Sequence, residues 1–212
     1  MIEQFTREHR ADTVLKLAAL PRQRIEAILL RRGIADDSVA EVKEALGEVD
    51  FVLDAQEAVA YSFREPYRIG RFSDGQFAVF YSALEEETCI AEISYRYAAQ
   101  FEEQRSGAFP YDRYYHLITC NFAGMTLTLV GEEEKYQALV SPTEAGYRFC
   151  QQLAKAARDE GIDALYTRSA RASNGTCTPI FTQSTLSNAK TEGRFRFYAK
   201  DGATLHDRLP QS

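Results

Sequence analysis

The sequence predicts an α+β fold: a mixed β-sheet preceded by a helical extension. Three observations predict it. Residues 10–60 carry apolar side chains at helical spacing, whereas the remainder mixes short aromatic and branched runs with amphipathic helices in no strict alternation. No G-x-G-x-x-G or G-x-x-x-x-G-K-[ST] loop marks a doubly wound nucleotide fold. The expected division is a helical extension over residues 1–60 and a sheet-bearing domain over 61–212.

Taken in order, Val14, Leu15, Leu17 and Leu20 predict a first helix. Ile25, Ile28 and Leu29 predict a second, with Pro21 in its first turn and Gly33 at its end. Asp36, Asp37 and Ser38 offer caps for a third helix running to Gly47, and Asp54 caps a fourth across "AQEAVAYSF". The texture then changes. "QFAVFYSA", entered through a turn at Gly75, reads as a buried strand, and Ile90, Ile93 and Tyr97 predict an amphipathic helix from about Glu85. "YYHLITCNF" and "MTLTLV" read as one or two strands broken near Gly124. Ser141, Pro142 and Glu144 supply a cap, a first-turn proline and a capping-box acid for a helix over 142–159, which Gly161 ends. "DALYTRSA" and "CTPIFTQ" are two strands flanking a turn at "SNG", and "RFRFYAK" is the last.

With 212 residues, 45% of them hydrophobic, the chain can bury a core of ordinary size. Its net charge of -6 argues against direct nucleic-acid binding, while leaving room for a local basic pocket that holds one anion. No apolar run approaches the roughly 20 residues that cross a bilayer, and the start "MIEQFTREHRADTV" lacks an apolar signal segment, so the expectation is a cytoplasmic protein without membrane contact. Cys89, Cys120, Cys150 and Cys177 form no C-x-x-C pair, and His9, His116 and His206 are scattered. Reduced thiols and no metal site are expected.

The residues that could carry chemistry lie between 64 and 171. Singly, each has an ordinary explanation. Arg71 could pair with Asp74 at the surface, Glu92 with Arg96 four residues on, Tyr81 could pack, and Ser169 could cap its own loop. Together, an arginine at a strand's entry, a tyrosine at its exit and a glutamate on the next helix can converge on one cleft. A dinucleotide requires such a set: guanidinium matches diphosphate through paired hydrogen bonds, and a tyrosine face stacks on a base. Breaking an N-glycosidic bond builds positive charge on the ribose carbon, which a fixed carboxylate stabilises; Glu92 is the candidate.

"GRFSDGQFAVFYSALEEETCIAE" and "DALYTRSARASNGTCTPIF" resemble the two signature blocks of the RES domain family. Arg71, Tyr81, Glu92 and Ser169 match its motif residues in type and order, and Arg171 follows the serine as in the family. The resemblance covers residues 61–199. The family's Asn-Pro-Pro-Gly-like turn is replaced here by Ser73, Asp74 and Gly75, and its early arginine is matched by Arg64 or Arg68, with Arg64 preferred. The resemblance implies a fold like that of ADP-ribosyltransferases of the diphtheria-toxin kind. It further implies a toxin of a toxin-antitoxin pair that consumes NAD+ as substrate, with no cofactor, and an Xre-like antitoxin as partner. In such a cleft Arg71 would hold phosphate with Arg64 or Arg68, Tyr81 would orient nicotinamide, and Ser169 would hydrogen-bond its amide or the ribose. The helical extension could serve a homodimer, the antitoxin, or the back of the sheet.

Overall fold

A computed structural model describes residues 2–19, 54–104 and 113–210. Among them are seven strands, joined in the order β1-β2-β5-β4-β3-β6-β7, with β1 also paired to β3. The ladder thus returns on itself through β1-β2-β5-β4-β3, and β6 and β7 continue it outward.

The largest correction falls on the first helix. Residues Thr6–Ala18 form β1, which runs antiparallel to β3 (Arg113–Thr128) from Thr6 opposite Thr128 to Ala18 opposite His116. The misleading signal has a clear cause. Val14 and Ala18 pack on one face and Leu17 on the other, so a strand buried on both faces reproduces the three- and four-residue apolar spacing of a helix. The second and third expected helices lie outside the described residues.

Helix α1 (Ala55–Ser62) is capped as expected, the Asp54 side chain accepting from the amides of Gln56 and Glu57. The strand expected from Gln76 is shorter, since β2 spans only Phe80–Ala83. Phe77 and Val79 leave the ladder to bury against α3 (Glu144–Asp159) instead. Helix α2 (Glu86–Gln104) begins one residue past Glu85, whose carbonyl accepts from the Cys89 amide. Strand β3 runs unbroken through Gly124. That glycine marks a close approach rather than a break, because a Cβ there would meet Asp163 Oδ2 at 2.8 Å.

The cap of α3 is Thr143, whose hydroxyl accepts from the Gly146 amide, so Ser141 and Pro142 lie before the helix and not in its first turn. Gly161, at φ +75°, follows its end. Strands β4 (Ala164–Arg168) and β5 (Thr176–Ile180) are where the sequence puts them. The closing strand is longer than "RFRFYAK": β6 spans Leu186–Lys200 and turns into a further strand, β7 (Ala203–Leu209). Mostly exposed and polar, β7 gives no apolar alternation to read.

Side-chain alternation along β3 sorts the core. Ile118, Cys120 and Phe122 pack with Phe80, Tyr166, Ile180 and the buried side of α1. On the opposite face, Tyr115 and Leu117 join the α2 cluster with Cys89, Tyr97 and Phe197. Further along that same face, Leu127 meets Leu153, Ala154 and Ala157 of α3. Helices α2 and α3 therefore sit side by side, with a seam between them. Tyr81 packs against the α3 cluster and Ala83, two residues on, belongs to the α2 cluster, so β2 runs beneath that seam. No described helix is long and apolar enough to cross a membrane.

Candidate functional site in the seam between two helices

Four of the six candidate residues converge on this seam. The Gly70-Arg71-Phe72 turn forms one side of it. The Tyr81 hydroxyl reaches back to accept from the Phe72 amide at 3.2 Å, and Gly70 makes room for it, since a Cβ at that position would stand 2.5 Å from the hydroxyl oxygen. Gln151 of α3 donates to the carbonyls of Gly70 and Ser73 and fixes the turn from above. Burial pushes the Tyr81 phenol up to about 12, against the pull of the Phe72 amide and of Arg96 and Arg71 nearby, so it stays a neutral hydroxyl.

Arg71 does not pair with Asp74. One guanidinium nitrogen donates to the carbonyls of Leu139 (3.2 Å) and Ser141 (2.8 Å), and the planar group lies over the Tyr147 ring at 4.7 Å. Asp74 instead accepts from the Gln76 amide. Arg71 is thereby fixed to the approach of α3, while its charge is felt at Tyr81 across the seam.

Glu92 does not pair with Arg96 either. The Ser169 hydroxyl donates to its Oε1 at 2.7 Å, and the Cys177 thiol donates to the same oxygen at 3.6 Å. Cys177 stands opposite Ala83 in the β2-β5 ladder and Tyr81 stands opposite Pro179, so Tyr81 and the thiol under Glu92 share one face of that pair. The carboxylate and the tyrosine are neighbours in one cleft. Burial and the Glu92 charge together hold the Cys177 thiol far above the usual range, and it remains protonated.

The Ser169 loop is tied to α2 a second time. Glu85 accepts from the Thr176 amide at 2.8 Å and from the Thr88 hydroxyl at 2.7 Å, and a Cβ on Gly175 would stand 2.2 Å from that hydroxyl. Arg171 lies over the Tyr95 ring at 3.5 Å, at the outer end of the same wall.

One residue that the motif pattern did not single out as a site member completes the cleft. Arg96, one helical turn beyond Glu92, lies over the Tyr81 ring at 5.4 Å. Behind it, on the opposite face of the sheet with Val14, Ala18 and Phe80, Lys16 of β1 donates to the Tyr81 carbonyl at 3.3 Å and lies over Phe80 at 4.5 Å. Burial, with the charges of Arg96 and Arg68, depresses Lys16 to about 7. Of the two early arginines, Arg68 is exposed but near enough for its charge to reach Lys16. Arg64 is exposed just past α1, its amide bonded to the Tyr61 carbonyl.

The cleft thus joins a fixed carboxylate, a neutral tyrosine and the guanidinium groups of Arg71 and Arg96. Such a pair attracts an anion, and a fixed carboxylate favours positive charge placed beside it. Among the described residues no cluster of histidine, cysteine and carboxylate could hold a metal ion.

The RES domain family model matches residues 48–198. A chain in the crystal structure of the M. tuberculosis MbcT-MbcA toxin-antitoxin complex has the same fold at a TM-score of 0.50, with 12% sequence identity over 88% of this chain and 86% of that one. No curated protein matches the sequence.

Proposed function

The chain belongs to the RES domain family, and from that premise we propose that it is the NAD+-degrading toxin of a toxin-antitoxin pair. It cleaves the bond between nicotinamide and ribose. The observation that carries this reading is the placement of Glu92, held on Ser169 and Cys177, on the same face as Tyr81 and one turn from Arg96. On this reading the diphosphate sits against the guanidinium groups of Arg71 and Arg96, with Arg68 adding a further positive contact. Tyr81 orients the nicotinamide end. The glycosidic C–N bond breaks with its electron pair leaving on nicotinamide, which departs neutral, and positive charge grows on the ribose carbon beside Glu92. Water then adds and releases a proton, giving ADP-ribose, or phosphate adds and gives the ribosyl phosphate. NAD+ is substrate and not a cofactor.

The reading also takes the returning sheet as a variant of the ADP-ribosyltransferase fold and gives the toxin an Xre-like protein antitoxin. The MbcT-MbcA structure supports an antitoxin partner in general. The deciding experiment incubates purified protein with NAD+, with and without phosphate and a cell extract, and follows nicotinamide, ribosyl products and protein mass. Release of nicotinamide with ADP-ribose or its phosphate supports the proposal. Transfer of ADP-ribose to a protein would make the chain a mono-ADP-ribosyltransferase, and tight binding without release a noncatalytic module. Glu92→Gln should lower the turnover number by about 10²- to 10³-fold while leaving NAD+ affinity within a few-fold by calorimetry, because the carboxylate acts on charge that exists only in the transition state.

A further inference from the structure

The hydrogen-bonding capacity of Ser169 is already filled. A serine hydroxyl carries one donor and two acceptor positions. Here the hydrogen goes to Glu92 Oε1 at 2.7 Å, and the oxygen accepts from the amides of Arg171 and Ala172, each at 3.0 Å. The side chain is also buried, with the residue 7% exposed. No donor or acceptor position is left for the amide or ribose of a ligand. Glu92 Oε1, by contrast, takes two donors from below, the Ser169 hydroxyl and the Cys177 thiol at 3.6 Å.

We propose that Ser169 and Cys177 are positioning residues that act only through Glu92: together they hold one carboxylate oxygen, direct the other toward the reacting ribose carbon, and make no contact with substrate. This assignment rests on the NAD+-cleaving reading of the site for its kinetic consequences, and on the hydrogen-bond geometry alone for its structural ones. The two donors differ in strength. The hydroxyl is the main support, and the thiol, a weak donor kept protonated, is the lesser one.

The test combines turnover kinetics with NAD+ with crystal structures of the free variants. Ser169→Ala should lower kcat by about tenfold or more, the loss expected when a hydrogen bond to a charged group is removed. KM and the calorimetric NAD+ affinity should stay within about twofold, as expected of an interaction realised in the transition state. Ser169→Thr, which keeps the hydroxyl, should restore most of kcat. Cys177→Ala leaves the loop's own hydrogen bonds untouched and covers the case in which Ser169→Ala fails to fold; it should lower kcat about two- to fivefold, again at constant affinity. The crystal structures should show the Glu92 carboxylate rotated in Ser169→Ala and in place in Ser169→Thr. A loss of NAD+ affinity of tenfold or more in Ser169→Ala at unchanged kcat would overturn the assignment in favour of a direct substrate contact, and so would a Glu92 carboxylate that stays in place without the hydroxyl. If the unmutated protein releases no nicotinamide from NAD+, the functional reading falls, and the carboxylate position in the variant structures decides the positioning role by itself.

Discussion

At the scale of single residues, the cleft depends on side chains that approach more closely than their types ordinarily allow. Gly70 is the sharpest case: a methyl group there must displace the Tyr81 hydroxyl, which stands 2.5 Å from the position of the added carbon. Gly70→Ala should therefore cost about 1–3 kcal/mol of stability and most of the activity. In a Tyr81→Phe background the hydroxyl is gone and the stability cost of Gly70→Ala should shrink; a double-mutant cycle of urea midpoints reads the difference. Lys16 supplies the pH dependence. Its charged form is disfavoured in the folded state by burial and by Arg96 and Arg68, with Cys89 and Cys120 opposing weakly, so its folded value of about 7 lies below its unfolded value of 10.5. Between those values the unfolded chain binds more protons, and stability from this group rises with pH, the full penalty being present below 7. Lys16→Met should be stabilising at pH 6, by on the order of 3 kcal/mol or less, and the advantage should fade as pH approaches 10.

At the scale of elements, the sequence spoke clearly where local chemistry decides and poorly where partners decide. Asp54, with its side chain on the amides of Gln56 and Glu57, and the apolar face of α2 at Ile90, Ile93 and Tyr97 were legible because capping and helical burial are written in neighbouring residues. Strand β1 was not, because its strand character comes from a long ladder with β3, a hundred residues away, that overrides the propensity of "TREHRADTVLKLA". The candidate site was half legible. Arg71, Tyr81, Glu92 and Ser169 follow a recognisable order, yet their actual partners, the Leu139 and Ser141 carbonyls, the Phe72 amide and Cys177, come from elements whose approach no local pattern encodes. The start of α3 links helix capping to the site. Thr143 caps the helix just after the carbonyls that hold Arg71, so Thr143→Ala should lower stability by about 1 kcal/mol, seen as a fall in the urea midpoint at unchanged m value.

At the scale of the whole molecule, β1 joins β2 to β3, and the family match begins only at residue 48. A chain trimmed to the matched region would lose the strand that supplies Lys16 and Val14 and would expose the facing edge of β3 from His116 to Thr128. Deleting residues 1–19 should abolish the cooperative thermal transition seen by circular dichroism, rather than merely lower its midpoint. The two banks of the cleft are held in different ways. Glu85, just before α2, grips the loop at Thr176 and Glu92 of α2 grips it at Ser169, while the Ser169 amide bonds the Gly175 carbonyl to close the loop upon itself. That wall is riveted at both ends to one continuous segment, Glu85 and the helix that follows it. The other bank, the Gly70 turn, hangs instead from Gln151 of α3 and from the Tyr81 hydroxyl, so the two banks of the cleft answer to different helices.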